Sequence, residues 1–128
     1  MSIILSHYLY QYQRNIRREA ERISLARATM AFAQNYGDHT REVIRHLDLL
    51  HRYQQPSQRT LALRWRREAQ FLLLLAFEDV SGLGYLAQLH PSKRSFIEHQ
   101  SAHHRTQLLD LERSFTTIPV FSPPPRSA

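Results

Sequence analysis

The chain has 128 residues, a length that favours one domain built around a single hydrophobic core. It contains no cysteine, which excludes disulfides, thiolate metal sites and cysteine nucleophiles. Its formal net charge is +6, and 16 of its 17 lysine and arginine side chains are arginines. A guanidinium can hold two oxygens of a phosphate or carboxylate at once, so this composition favours a phosphate backbone or an acidic protein surface as the partner.

The longest apolar run covers residues 71–77, which is seven residues against the ~20 that a transmembrane helix needs. The first five residues carry no basic segment typical of a signal peptide. We therefore expect a soluble, cytoplasmic protein with no membrane partner.

Apolar residues that recur every three or four positions predict a long first helix over residues 6–36. Gly37 and Asp38 mark its end, and Asp38 is the expected N-cap of a second helix over residues 39–54. The inner face predicted for the first helix contains Leu9, Tyr12, Ile16, Ala20, Ile23, Met30 and Ala33.

The third predicted helix spans residues 57–78, with Pro56 in its first turn. Within it, residues 71–77 are apolar around the whole circumference, which is typical of a helix that is central or shared with another chain. Because only about four helices are available to cover it, we expect a homodimer interface here. The alternative is an ordinary buried core helix.

A C-cap and turn are expected at residues 81–84, followed by a short turn or helix over residues 85–89. Ser92 or Ser95 is the expected cap of a last helix that ends near Phe115. No stretch shows the alternation typical of strands. The predicted fold class is therefore all-α, a small bundle of long antiparallel helices completed by homodimerisation.

Residues 116–128 contain three consecutive prolines and predict a flexible or polyproline-type tail. The expected domain organisation is thus a helical domain over residues 1–115 and a tail over residues 116–128. Such a tail is also a candidate docking segment for a protein partner.

The arginines follow stripes along the predicted helices. Local ion pairs would make these stripes ordinary solvated faces, but residues 14–27 hold five arginines against two glutamates, and residues 59–68 hold four against one. A GC-rich or overlapping coding sequence would explain the arginine content, although not its placement. The candidate nucleic-acid-binding residues are Arg14, Arg17, Arg18, Arg22, Arg41, Arg45, Arg52, Arg59, Arg66 and Arg67.

Catalytic and metal-binding patterns are weak in this chain. It has no glycine-rich phosphate loop, no nucleophile elbow and no evident paired-carboxylate site. Among its eight histidines, His99 and His103 have the four-residue spacing that places two ligands on one helical face, but no HExxH pattern accompanies them. We predict no enzymatic activity, no catalytic residue, no cofactor and no metal site.

Three short segments and the proline triplet resemble the small dsRNA-binding RNA-silencing suppressors of nodaviruses. The segments are His46-Leu47-Asp48-Leu49-Leu50-His51, the end of the apolar run at Phe77-Glu78-Asp79-Val80, and Gly84-Tyr85-Leu86 as a turn after it. The resemblance covers about residues 38–90 and assigns no individual binding residue. It implies an all-helical viral homodimer that lays basic helices along duplex RNA without sequence preference.

No motif that recognises base edges is present, which favours binding to the nucleic-acid backbone. We therefore expect sequence-independent dsRNA binding by a viral suppressor of RNA silencing, which shields dsRNA from processing in the host cell cytoplasm. The alternative is a small helical adaptor whose arginines bind acidic proteins. Stripes that join into one continuous face favour nucleic acid, and scattered stripes favour the adaptor.

Overall fold

A computed structural model describes residues 3–118, in which four α-helices and two short 3₁₀ turns account for all the regular structure. The helices are α1 (Ile3–Arg22), α2 (Leu25–Arg52), α3 (Arg59–Leu89) and α4 (Arg94–Thr117). The 3₁₀ turns Pro56–Gln58 and Pro91–Lys93 precede α3 and α4. The all-α prediction is confirmed for the described residues, and homodimerisation stays a prediction.

The central helix is α3, because each of the other three helices packs along it. α2 runs antiparallel to α3 and places His39 beside Asp79. α4 is also antiparallel to α3, since Arg66 near the start of α3 contacts Phe115 near the end of α4. A core between these three helices buries Val43, Leu47, Leu50, Leu73, Ala76, Val80, Leu108 and Phe115.

α1 runs in the same direction as α3, on a different side of it from α4. Tyr8 near the start of α1 packs against Phe71, and Glu21 near its end contacts Tyr85. A second apolar cluster lies where the end of α1 meets the start of α2. Its buried members are Ala20, Ala28, Leu83, Leu86, Ala87 and Ile97.

Residues 71–77 are largely covered by the chain itself. Leu73, Leu75 and Ala76 are buried, whereas Leu74 is 41% exposed. Most of the surface of this run is therefore covered without a second chain, and this is what the alternative of a buried core helix predicts. The whole segment Pro56–Leu89 is long and apolar enough to cross a membrane by length and composition alone, but half of its most apolar window is buried inside the bundle.

The first helix break lies at residues 23–24, so the predictions of a helix over residues 6–36 and of an N-cap at Asp38 are wrong. Ser24 is extended and its hydroxyl accepts a hydrogen bond from the Arg27 amide at 3.2 Å, which caps α2. α2 then continues through Gly37 and Asp38. The contacts of Tyr36 with α4 and of His39 with α3 hold the helix on both sides of the glycine.

The turn predicted at residues 81–84 is also wrong, because α3 continues without a break to Leu89. Gly82 allows α1 to approach α3, since a Cβ at this position would lie 2.7 Å from the Cγ2 atom of Ile16. α4 agrees with the predicted last helix and extends it to Thr117, with Ile118 buried beyond it. The prediction that Ser92 or Ser95 caps this helix is wrong, because its N-cap is Lys93 and no side chain makes a capping hydrogen bond there. The remainder of the predicted tail, residues 119–128, lies outside the described residues.

Candidate nucleic-acid interface

Three arginines of α1 point away from the bundle. Ile16 and Ala20 turn toward α3, so the helical phase places Arg14, Arg18 and Arg22 on the opposite side. All three side chains are exposed. No carboxylate of residues 3–118 forms an ion pair with any of them.

The same side of α1 continues toward its start with His7 and Gln11. His7 is exposed and Gln11 is partly exposed. We define the outer face of α1 as His7, Gln11, Arg14, Arg18 and Arg22. At 1.5 Å per residue the face extends over about 22 Å of helix axis, and every member can donate hydrogen bonds while none is a carboxylate.

Arg17 differs from the arginines of the outer face because it contacts α3. Its guanidinium lies over the Tyr85 ring, 5.5 Å from the ring centroid. The Tyr85 hydroxyl donates a hydrogen bond to Glu21, and this bond raises the pKa of Tyr85. Arg17 therefore helps to fasten α1 to α3, and its guanidinium is only in part available to a ligand.

The three candidate arginines of α2 are paired with carboxylates one turn away. Arg41 pairs with Asp38, Arg45 Nη2 lies 2.9 Å from Glu42 Oε2, and Arg52 Nε lies 3.1 Å from Asp48 Oδ2. These exposed pairs contribute only a few tenths of a kcal/mol each to stability. They nevertheless neutralise the arginine stripe of α2. The arginines of α2 therefore form an ordinary solvated face with local ion pairs.

The α3 arginines have divided roles. Arg59 and Arg67 are exposed and have no carboxylate partner among residues 3–118. Arg66 is partly buried, and its Nη2 donates a hydrogen bond to the Phe115 carbonyl oxygen at 3.0 Å. That carbonyl lies in the last turn of α4, where carbonyls lack helical partners, so Arg66 stabilises the end of α4.

Within one chain the arginine stripes do not form a continuous face. α1 packs on the side of α3 that carries Phe71 and Tyr85, whereas α2 packs on the neighbouring side that carries Glu68, and Asp79 between the two sides contacts both helices. Arg14, Arg18 and Arg22 of α1 point away from α3, and so do the paired arginines of α2. The stripes consequently point in different directions, and only that of α1 holds three exposed arginines without carboxylate partners.

A buried polar cluster joins three helices, and the sequence analysis missed it. Asp79 of α3 is 3% exposed; it accepts a hydrogen bond from the Tyr12 hydroxyl of α1 and lies 2.7 Å from His39 Nδ1 of α2. Burial and the Asp79 hydrogen bond raise the pKa of Tyr12. The signal in the sequence was the pair of carboxylates Glu78 and Asp79 directly after the apolar run, but the partners of Asp79 lie 67 and 40 residues away.

Two further carboxylates have shifted pKa values. Burial raises the pKa of Glu78, Arg17 opposes this shift in part, and the Glu78 Oε2 atom has no hydrogen-bond partner among the described residues. The hydrogen bond from His46 lowers the pKa of Glu68, with Nε2 lying 3.1 Å from Oε2. In residues 3–118 no three His, Asp or Glu side chains come together as a metal site.

No protein-family model, curated protein or solved structure matches the chain.

Proposed function

We propose that the chain binds the backbone of duplex RNA through the outer face of α1. The observation that carries the proposal is the unpaired state of Arg14, Arg18 and Arg22, in contrast to the three paired arginines of α2. A guanidinium without an internal carboxylate partner needs to lose no ion pair before it binds a phosphate. It can then hold two phosphate oxygens at once.

The shape of the outer face supports a backbone ligand. A row of donors about 22 Å long suits the phosphates and 2′-hydroxyls along a nucleic-acid backbone. Proteins that recognise double-stranded RNA do so largely by shape and by such contacts. Binding of this kind has little dependence on nucleotide sequence.

The choice of RNA over DNA rests on the resemblance to nodavirus suppressors. One part of that resemblance is weakened, because Gly84-Tyr85-Leu86 forms no turn and belongs to α3. The segment from His46 to His51 lies at the end of α2 and contributes buried His46, Leu47 and Leu50 to the bundle. A chain that covers duplex RNA would shield it from processing enzymes, and suppression of RNA silencing by a homodimer in the host cytoplasm is the corresponding biological role.

A second candidate function is that of an adaptor for acidic proteins. It is favoured by the scattered stripes, since an acidic protein helix or loop needs one basic face rather than a continuous surface over three helices. The same outer face of α1 would then bind carboxylates in place of phosphates.

The two functions are separated by fluorescence anisotropy with the full chain. The probes are a duplex RNA of about 20 base pairs, the duplex DNA and single-stranded RNA of the same sequence, and poly-glutamate, each at about 50 and about 200 mM salt. Three phosphate contacts predict a log–log slope of about −3, which is a loss of roughly 50-fold in duplex RNA affinity over this range. Duplex RNA should bind more tightly than the other three probes.

Absence of duplex RNA binding at about 50 mM salt would contradict the proposal. Binding to poly-glutamate alone would support the adaptor. Equal binding to duplex RNA and duplex DNA would support binding to the nucleic-acid backbone and contradict the preference for RNA.

A further inference from the structure

A cavity of about 290 Å³ lies between α1, α2 and α3, next to the Asp79 cluster. Four of its lining residues are small, namely Ala20, Ala28 and Ala31 near the break between α1 and α2, and Gly82 of α3. From Tyr12 to Ala20, α1 lines it along about 12 Å of helix axis, and Ile23 lines it in the break after α1. The cavity is therefore an elongated slot under α1.

The slot has apolar walls with a small number of polar groups. Its larger apolar lining residues are Ile16, Ile23, Phe32 and Leu86. Pockets for small molecules have this character and measure roughly 300–1,000 Å³, while a cavity of about 150 Å³ already holds benzene. The slot therefore fits a ring with a short substituent.

The polar groups of the slot favour a cation. Its charged lining residues are Glu19 and Asp79, and no arginine, lysine or histidine lines it, although the whole chain carries a net charge of +6. Glu19, Asn15 and Asn35 make no side-chain hydrogen bond within residues 3–118, so their oxygens remain available as acceptors.

We infer that this slot binds a small organic cation, a protonated amine carried on an apolar body of about one ring. The ammonium group donates its hydrogen bonds to the Glu19 carboxylate and to the amide oxygens of Asn15 and Asn35. The apolar body lies against Phe32 and Leu86. Asp79, whose two oxygens already accept hydrogen bonds from Tyr12 and His39, adds attraction through its charge.

An anionic ligand is excluded from this site by the two carboxylates. A neutral ligand of equal size gains the apolar contacts but leaves the Glu19 carboxylate without a cation. The slot thus selects cations, whereas the outer face of the same helix selects anions. Ligand binding in the slot is independent of the proposed binding of RNA.

The test uses three probes of similar size with the full chain: phenethylamine, neutral 2-phenylethanol and anionic phenylacetate. Alanine methyl NMR reports the site through the signals of Ala20, Ala28 and Ala31. We expect phenethylamine to shift these signals and to bind at least about fivefold more tightly than the alcohol, which is the effect of one partly exposed charge pair. The acid should leave the signals unchanged.

Two glutamate variants form a matched pair because each removes one negative charge. Glu19→Gln should lower the phenethylamine affinity by about fivefold and leave the affinity for 2-phenylethanol unchanged. Glu112→Gln, on the exposed side of α4, should change neither affinity. Ala31→Leu at the rim of the slot should block both ligands and provides a test that does not depend on charge.

Four results would overturn the inference. They are no change in the alanine signals with any probe, equal affinities for amine and alcohol, equal losses of amine affinity in the two glutamate variants, and unchanged binding in Ala31→Leu.

Discussion

His39 Nδ1 on α2 lies 2.7 Å from Asp79 Oδ2 on α3, in a cluster that α1 completes through the Tyr12 hydroxyl. The Asp79 side chain is 2% exposed and that of His39 is 18% exposed. A buried carboxylate is tolerated only when its hydrogen bonds are made. The Asp79 side chain therefore fixes the positions of α1, α2 and α3 relative to one another.

Asp79→Asn should lower the free energy of unfolding by about 2 kcal/mol, because an amide offers one acceptor where the carboxylate offers two. Urea denaturation measures the effect. The matched variant is Asp38→Asn, whose side chain is 56% exposed and pairs only with Arg41 in the same helix. It should stay within about 0.5 kcal/mol of the wild type. Equal effects of the two substitutions would show that the cluster contributes nothing particular to stability.

The two glycines near the end of α3 should respond to alanine in opposite directions. At Gly82 the added Cβ would meet Ile16 at 2.7 Å, and overpacking of this kind costs about 1–3 kcal/mol. At Gly84 no atom lies within 4 Å of the added Cβ, so the higher helix propensity of alanine should stabilise the protein by about 0.5–1 kcal/mol.

Thermal unfolding of both single variants measures this difference. The combination of Gly82→Ala with Ile16→Ala separates the cause, since it removes the contacting methyl group and should cost less than the sum of the two single changes. Stabilisation by Gly82→Ala would show that α1 does not pack tightly against α3.

Neighbouring arginines of α3 should differ in their effect on stability. Arg66→Gln removes the hydrogen bond to the Phe115 carbonyl and should lower the free energy of unfolding by about 1 kcal/mol. Arg67→Gln removes an exposed guanidinium and should change it by less than about 0.5 kcal/mol. Urea denaturation measures both effects. A larger loss of stability in Arg67→Gln than in Arg66→Gln would contradict the role of Arg66 at the end of α4.

Glu78 should make the wild type less stable as the pH rises. Its pKa is raised in the folded state, mainly by burial, so the stability that it contributes is complete below about pH 4.3 and is lost as the pH rises through the raised pKa. Glu78→Gln has no charge to bury and should therefore be more stable than the wild type at about pH 7, with no such gain at about pH 3.

Urea denaturation at both pH values tests this expectation. Glu112→Gln, which removes a carboxylate from the exposed side of α4, should show no comparable dependence on pH. A Glu78→Gln variant that is less stable than the wild type at neutral pH would show that the attraction between Glu78 and Arg17 outweighs the cost of burial.

The helical class and the last helix could be predicted from the sequence because both depend on local features. The apolar spacing of three and four residues is present in every helix, and Pro91 precedes α4. The helix breaks depend on tertiary contacts instead. Gly37 lies inside α2, which is held by a contact with α4 before the glycine and by a contact with α3 after it. Gly82 lies where α1 packs against α3, although its sequence neighbours predict a turn.

A misplaced break also changes which side chains face the core. Met30 and Ala33 share a predicted face with Ile16 if the helix is continuous, but α2 begins a new phase after Ser24 and leaves both exposed, Met30 at 72%. The direction of Arg14, Arg18 and Arg22 could be predicted because they lie on the same helix as Ile16. The role of Arg66 could not, since its acceptor is 49 residues away.

Two triple variants with equal charge changes test whether the unpaired arginines of the outer face of α1 bind duplex RNA. Arg14→Gln/Arg18→Gln/Arg22→Gln removes three charges without ion-pair partners, and Arg41→Gln/Arg45→Gln/Arg52→Gln removes three that are paired within α2. The measurement is the affinity for duplex RNA and its salt dependence by fluorescence anisotropy. We expect the α1 variant to lose at least about 50-fold in affinity and about three units of salt slope, and the α2 variant to lose less than about fivefold. Equal losses in the two variants, or a greater loss in the α2 variant, would contradict binding through the outer face of α1.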